Sequence, residues 1–220
     1  MDEARLLPAD AARYAVLRRL APALRHKLLG ELHPIGMIAD LTARRLQADA
    51  PDLDNLRNNI VKIKGQTQSA AASCSGLMSW VAPDPAASIA IGAGVAECIV
   101  LVTPELGMRG IDIVPNLHTG ETLVARSALR EVLVAAIFAS TDPLTQPADL
   151  LLSDRLTGPQ LELCLEVNSA DRSVETIERD PFRTIGWDDV AALAAANKVE
   201  IIQAPRRVAL RYAPLPPVTA

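Results

Sequence analysis

Arg25-His26-Lys27-Leu28-Leu29-Gly30-Glu31-Leu32-His33-Pro34-Ile35 is the stretch on which the reading of this chain turns. It lies inside a longer pattern, from about Ala11 to Gln47. There Leu17, Leu20, Leu24, Leu28, Ile35, Ile38 and Leu46 recur near 100° per residue, the mark of an amphipathic helix. On the same count His26 and His33 point away from that stripe. Asp10 has the side chain expected of this helix's N-cap. Pro22 and Pro34 interrupt the pattern. Pro34 has no N–H for the carbonyl of Gly30 and its ring crowds that carbonyl, so a kink is expected there.

Moving outward, Ala48-Asp49-Ala50-Pro51-Asp52 makes a short break, with Asp52 as a second N-cap. A second stripe then runs through Leu53, Leu56, Ile60, Ile63, Thr67, Ala70, Cys74 and Leu77 and ends near Trp80, before Pro83-Asp84-Pro85. Two long helices joined by a short loop form an antiparallel hairpin. One hairpin is too thin to bury both stripes, so a homodimer forming a four-helix bundle is expected.

Beyond Pro85 the texture changes, which sets the expected domains at 1–85 and 86–220. Ala86 to Leu101 reads as an apolar helix broken by Thr103-Pro104, and Arg109–Val114 as a turn into a strand. Residues 123–140 read as an apolar helix buried over much of its surface. Pro143, Pro147 and the Asp149–Asp154 region read as making or flanking a loop. Gln160–Val167 alternates polar and apolar, the period of a half-buried strand. Asn168 to Arg183 reads as charged loop, Asp188 to Asn197 as a short helix, and Val199–Gln203 with Arg207–Tyr212 as a hairpin around Pro205. The tail from Pro214 is expected to fray. The fold class is therefore α+β: a helical hairpin, then helices over one face of a mixed sheet.

The bulk numbers exclude several classes of function. The 220 residues are 50% hydrophobic but only 3% aromatic, so the core is built from Ala, Leu, Val and Ile. A net charge of −4 with no basic block argues against a nucleic-acid partner. Cys74, Cys98 and Cys164 lie far apart, which argues against a disulfide framework or zinc site; each reads as a small buried hydrophobe. The first residues do not form a signal peptide and no apolar run reaches the length of a membrane span, so a cytoplasmic protein with no membrane partner is expected. No GxSxG, HExxH or glycine-rich phosphate loop is present. His26 and His33 stand two helical turns apart, about 10 Å, too far to share one metal ion. Cys98, Asp112, Trp187 and Arg206 read as structural or surface residues.

What remains is an outward histidine on a long hairpin. It is either an ordinary solvent-facing residue or a phosphoryl acceptor, for which imidazole suits through its lone pair and labile N–P bond. A phosphoryl-accepting site must be open to a partner protein, and Gly30 would allow close approach. Arg25 and Lys27 beside it are either solvated charges or a means of steering an acidic partner.

The order His26, Leu28, Gly30, Leu32, Pro34 resembles the H-box of histidine kinases, in a subgroup that reads roughly H-D-L-R-G-x-L-x-P. In that family the phospho-accepting histidine sits on the first helix of a dimeric hairpin. Lys27 stands where such kinases usually carry an acidic residue, which argues against autokinase and phosphatase chemistry. The C-terminal region resembles, in order and length of elements, the Bergerat-type ATP-binding α/β sandwich that follows in those kinases. Leu129–Val134 resembles the start of the helix bearing the N-box, but the family's two asparagines correspond to Ala135 and Ala139. The family's Asp-x-Gly-x-Gly corresponds to Asn168-Ser169-Ala170-Asp171, and its later glycine-rich turn is reduced to Gly186-Trp187-Asp188. Alanine cannot ligate magnesium, and a triphosphate cradle needs exposed N–H groups at glycines. No cofactor is therefore expected.

A histidine hairpin with a degenerate ATP-binding domain is similar to bacterial histidine phosphotransferases of the ChpT type. That resemblance implies a relay through His26 to or from the aspartate of a response-regulator receiver domain, with a hybrid histidine kinase as a further partner. Arg25, Lys27 and Gly30 would line the docking surface, and the receiver's own magnesium and lysine would stabilise the transferring group. The other reading is a pseudokinase-like dimeric scaffold that binds a kinase or regulator and carries no phosphate.

Overall fold

The computed structural model describes residues 3–172 and 182–216, with side chains from residue 7 onward. Two long helices, α1 (Glu3–Leu46) and α2 (Leu53–Val81), precede a mixed α/β region, as the α+β reading expects. The described residues group into two compact units, residues 21–82 and residues 1–20 with 83–220. The start of the expected hairpin domain thus belongs with the C-terminal unit, because Ala9, Ala12, Val16 and Leu20 bury there.

In the unit of residues 21–82, Asp52 caps α2 by accepting the N–H of Asn55 at 3.0 Å. The more buried positions are Leu24, Leu28, Glu31, Ile35, Ile38 and Thr42 on α1, and Leu56, Asn59, Ile63, Gln66, Ala70, Ser73 and Leu77 on α2. Their three-and-four spacing keeps a single seam turned toward the facing helix. Two expectations change here. The second stripe splits: Leu56, Ile63, Ala70 and Leu77 line the seam, while Leu53, Ile60, Thr67 and Cys74 lie exposed one position round the helix. Cys74 is therefore not a buried hydrophobe, and Leu46 is exposed as well. Helix α1 runs unbroken through Pro22 and Pro34, and it starts well before Asp10, whose carboxylate instead accepts from Arg13 at 2.7 Å one turn on.

In the other unit, β1 (Ser88–Ala90) pairs antiparallel with β3 (Leu123–Ala125). Five strands form the main sheet: β2 (Ile111–Asn116), β4 (Ala148–Thr157), β5 (Gln160–Ser169), β6 (Glu200–Ala204) and β7 (Arg207–Tyr212). Their order is β2-β4-β5-β7-β6, with β2 parallel to β4 and every other pair antiparallel. The helices are α3 (Ile91–Met108), α4 (Arg126–Thr141) and α5 (Trp187–Asn197). Register places Leu152, Leu165 and Val208 in one row and Leu163 and Leu210 in another; all are buried. Helix α4 is buried continuously from Val132 to Ala139, so it is the core of this unit. Gly94 of α3 lets it approach α4: a Cβ there would stand 2.3 Å from Leu129 Cδ2 and 3.1 Å from Ile89 Cγ2.

The structure corrects the sequence reading at five further places. Residues 149–154 form β4 rather than loop, since Leu150 and Leu152 alternate inward. Helix α3 starts later than expected and continues through Thr103-Pro104 to Met108, with the Thr103 hydroxyl donating to the Ile99 carbonyl at 2.7 Å. At 18 residues it is long and apolar enough to cross a membrane, contrary to the expectation of no such run, and Ile91, Val95, Cys98, Val102 and Leu106 are buried within the unit. Residues 123–125 are strand before the helix begins. Strand β5 is buried on both faces, with Glu162 and Cys164 as well as its leucines inside. The loop expected from Asn168 to Arg183 gives way to strand at its start, its residues 173–181 lie outside the described residues, and so do 217–220 of the expected tail.

Candidate functional site

Arg25, His26, Lys27 and Gly30 are all exposed. By helical phase His26 and His33 lie on the side of α1 opposite the seam, with Arg25 and Lys27 on either flank of His26. Among the described residues no hydrogen bond or ion pair engages the side chains of Arg25, His26 or Lys27. A Cβ added at Gly30 would meet nothing within 4 Å, so the surface beside the imidazole is open.

Glu31 fixes the rotation of this segment. Its carboxylate accepts from Ser69 Oγ at 3.0 Å and Ser73 Oγ at 3.3 Å on α2. That pins the next turn of α1 to the seam and leaves His26 facing solvent. Sequence reading passed over Glu31 because a glutamate in a helix reads as surface. The available signal was the pair of serines four residues apart on the facing helix.

In the C-terminal unit several charges are held in fixed pairs. Arg19 is only 8% exposed. It bonds Asp142 through Nη1 at 2.5 Å and Nη2 at 2.6 Å, donates from Nε to Glu105 at 3.0 Å, and lies 4.0 Å from the centroid of Phe138. Asp142 also accepts the N–H of Ile185 at 3.0 Å and pairs with Arg109. Burial works against the Arg19 charge, but the two carboxylates outweigh it and push the guanidinium's pKa up. Along one cross-strand row of the sheet runs a ladder, Arg155–Glu162–Arg211–Glu200. Burial would raise the Glu162 carboxyl; hydrogen bonds from Arg211, Arg155 and Cys164 win and hold it below the usual carboxylate range. Asp154 behaves alike: burial opposes its charge, but the His118 N–H and the Thr119 hydroxyl and N–H lower its pKa. Asp112 pairs with Arg172, a structural role.

The positions that the resemblance assigns to nucleotide do not fit magnesium triphosphate. Ala135 and Ala139 are buried at 0% and 2% exposure and offer no ligand atom. Gly186 is the N-cap of α5, and its N–H is already donated to the Asp189 carboxylate at 3.0 Å. A negative charge thus holds the place that a phosphate oxygen would need.

No family model matches the sequence, and no curated protein matches it. Solved structures do. A histidine kinase from Burkholderia phymatum STM815 is similar at 16% identity, covering 98% of this chain and 99% of that one, with a TM-score of 0.43. The histidine kinase ThkA, solved in complex with the response regulator TrrA, is similar at 13% identity over 99% of this chain and 68% of that one, with a TM-score of 0.44. The Acinetobacter baumannii histidine kinase AdeS is similar at 15% identity over 81% of this chain and 93% of that one, with a TM-score of 0.42. Likeness of this degree assigns no activity.

Proposed function

We propose that the protein is a histidine phosphotransfer protein of two-component signalling, with His26 as the residue that carries the phosphoryl group. The single observation behind this reading is an imidazole with no partner among the described residues, on the outward side of a hairpin helix, beside the open surface at Gly30. The H-box-like order of residues around it supports the same reading. In the forward step a ring nitrogen attacks the phosphorus of a receiver's aspartyl phosphate. The N–P bond forms as the P–O bond to aspartate breaks, and the aspartate departs as a carboxylate with that electron pair. The reverse step passes the group to a second receiver. Arg25 and Lys27 supply positive charge that steers an acidic receiver pocket toward the imidazole. Nothing in the chain needs to hold nucleotide for this chemistry, which accords with the filled positions at Ala135, Ala139 and Gly186.

The reading includes a homodimer. In an antiparallel pair, positions one residue past each seam fall on the same side of the hairpin. Here they are Leu29, Leu32 and Leu46 on α1, with Ile60, Cys74, Met78 and Val81 on α2. Ile60 is 60% exposed and Val81 62%. A second copy laid on this face would bury both stripes in a four-helix bundle while leaving His26 outside.

The test is to mix the protein with radiolabelled, phosphorylated receiver domains and separate the species. Acid-labile label on the wild-type protein and none on His26→Ala is the expected result. Receiver binding without any label on the wild type would replace the relay with the scaffold reading.

A further inference from the structure

The main sheet ends in two outer strands, β2 and β6, and the chain guards only one of them. Strand β2 carries Pro115, and near its start Asp112 is paired with Arg172. A proline and a charge both discourage a further strand from adding at an edge. Strand β6 contains no proline, and its one charge, Glu200, is turned onto Arg211 of β7 at 3.4 Å. Ile202 is 38% exposed, and Gln203 and Ala204 are exposed beside it.

The hydrogen-bond phase of this edge follows from its neighbours. The Arg206 carbonyl accepts the N–H of Val167 on β5 at 3.0 Å, so Val208 and Leu210 turn their backbone groups toward β5, and the residues between them turn toward β6. By the same alternation Glu200, Ile202 and Ala204 bond to β7, while the N–H and C=O of Ile201 and Gln203 point outward. Among the described residues no backbone hydrogen bond engages those outward groups. Exposed cations bracket the edge: Lys198 stands just before β6 and Arg206 just after it.

We infer that the β6 edge takes up an extended acidic segment of another protein as a further strand, antiparallel to β6. The main chain of that segment exchanges hydrogen bonds with Ile201 and Gln203. A β-branched residue packs opposite Ile202, and carboxylates four residues to either side of it face Lys198 and Arg206. A second copy of this chain fits less well. The antiparallel register in which Ile201 and Gln203 of both copies bond each other is centred on Ile202, and it sets Lys198 of each copy against Arg206 of the other, like charge on like. The inference is independent of the relay at His26.

The probe is a capped nonapeptide with valine at its centre, threonines on either side and a glutamate at each end. Its binding to the full chain is read by fluorescence anisotropy and by amide exchange in NMR. It is expected to bind with a Kd below about 1 mM. Exchange at Ile201 and Gln203 is expected to slow by about tenfold, while Ile202, already bonded to β7, is unmoved. N-methylation of the two peptide residues flanking the valine removes the N–H groups that face Ile201 and Gln203, and is expected to weaken binding by about tenfold. N-methylation of the valine itself, whose N–H faces away, is expected to leave binding unchanged. Replacing both glutamates by lysine, or combining Lys198→Glu with Arg206→Glu, is expected to weaken binding by about fivefold or more. Gln203→Pro removes an outward N–H, keeps the β6–β7 bonds and is expected to abolish binding. The inference is overturned if the wild type does not bind the peptide, if the flank-methylated peptide or Gln203→Pro binds as the parents do, or if the lysine-ended peptide binds as tightly. Slow exchange at Ile201 and Gln203 before any peptide is added would also overturn it, because a second copy or the chain itself would then hold this edge.

Discussion

The two units of this protein treat their polar groups in opposite ways. In residues 21–82 the side chains of Arg25, His26 and Lys27 have no hydrogen-bond or ion-pair partner among the described residues, and large apolar residues such as Met37, at 73% exposure, face solvent. In the C-terminal unit the buried charges are locked: Arg19 between Glu105 and Asp142, Glu162 between Arg155 and Arg211, Asp154 under a turn. The first arrangement suits a surface that meets other molecules. The second suits a scaffold whose polar groups are spent on holding shape. Ala135 and Ala139 lie in the closed core of this unit and offer no ligand atom.

The contrast can be broken most sharply at Arg19. Arg19→Ala strips a buried cation from Asp142 and Glu105 and is expected to cost about 3–5 kcal/mol, read as a lower urea midpoint of the full chain. A cost under about 1 kcal/mol would show that the network is not structural. On the other side of the comparison, Ile60→Glu places a charge on the exposed apolar face. It is expected to leave the fold intact but to halve the mass by light scattering, from twice 23.5 kDa to the single-chain value. A wild type that is already monomeric would remove the bundle from the account.

Acid sharpens the contrast further. The Asp154 and Glu162 carboxyls are depressed in the folded chain, so their contribution is complete above the ordinary carboxylate pKa of about 4. It fades as pH falls through the depressed folded values. Asp154→Asn is expected to lower stability at pH 7 and to flatten the loss between about pH 5 and 2, measured as unfolding free energy against pH. An unchanged slope would contradict the assignment. The smallest effect is at Lys198, the α5 C-cap with φ 57°. Lys198→Gly relieves that conformation at some entropic expense and is expected to stabilise by about 0.5 kcal/mol, visible as a slightly higher Tm.

Much of this was legible in the sequence. The periods of α1, α2 and α5, the Asp52 cap and the β6–β7 hairpin follow from local rules, because each is specified by residues near one another. Strand β4 was not, since Asp149 and Asp154 mask its alternation and its partners lie on β2 and β5. The division of α1 between two units was not, because Ala9, Ala12 and Val16 carry the same helical pattern whichever neighbour they pack on. His26 stood out through its phase together with the H-box-like order of Leu28, Gly30, Leu32 and Pro34 after it. Glu31 and the Arg19 network did not, as each depends on residues distant in sequence. Arg206 reads from the sequence as structural or surface; its exposure fits that, and its positive φ needed three dimensions.

The central claim is that His26 passes a phosphoryl group between receiver domains, and a reconstituted relay tests it most directly. One receiver is phosphorylated chemically, a second is not, and label on the second is followed with wild type, His26→Ala or His33→Ala added. The account predicts transfer with wild type and with His33→Ala, and none with His26→Ala. Transfer that survives His26→Ala, or no transfer with the wild type across a panel of receivers, would contradict it.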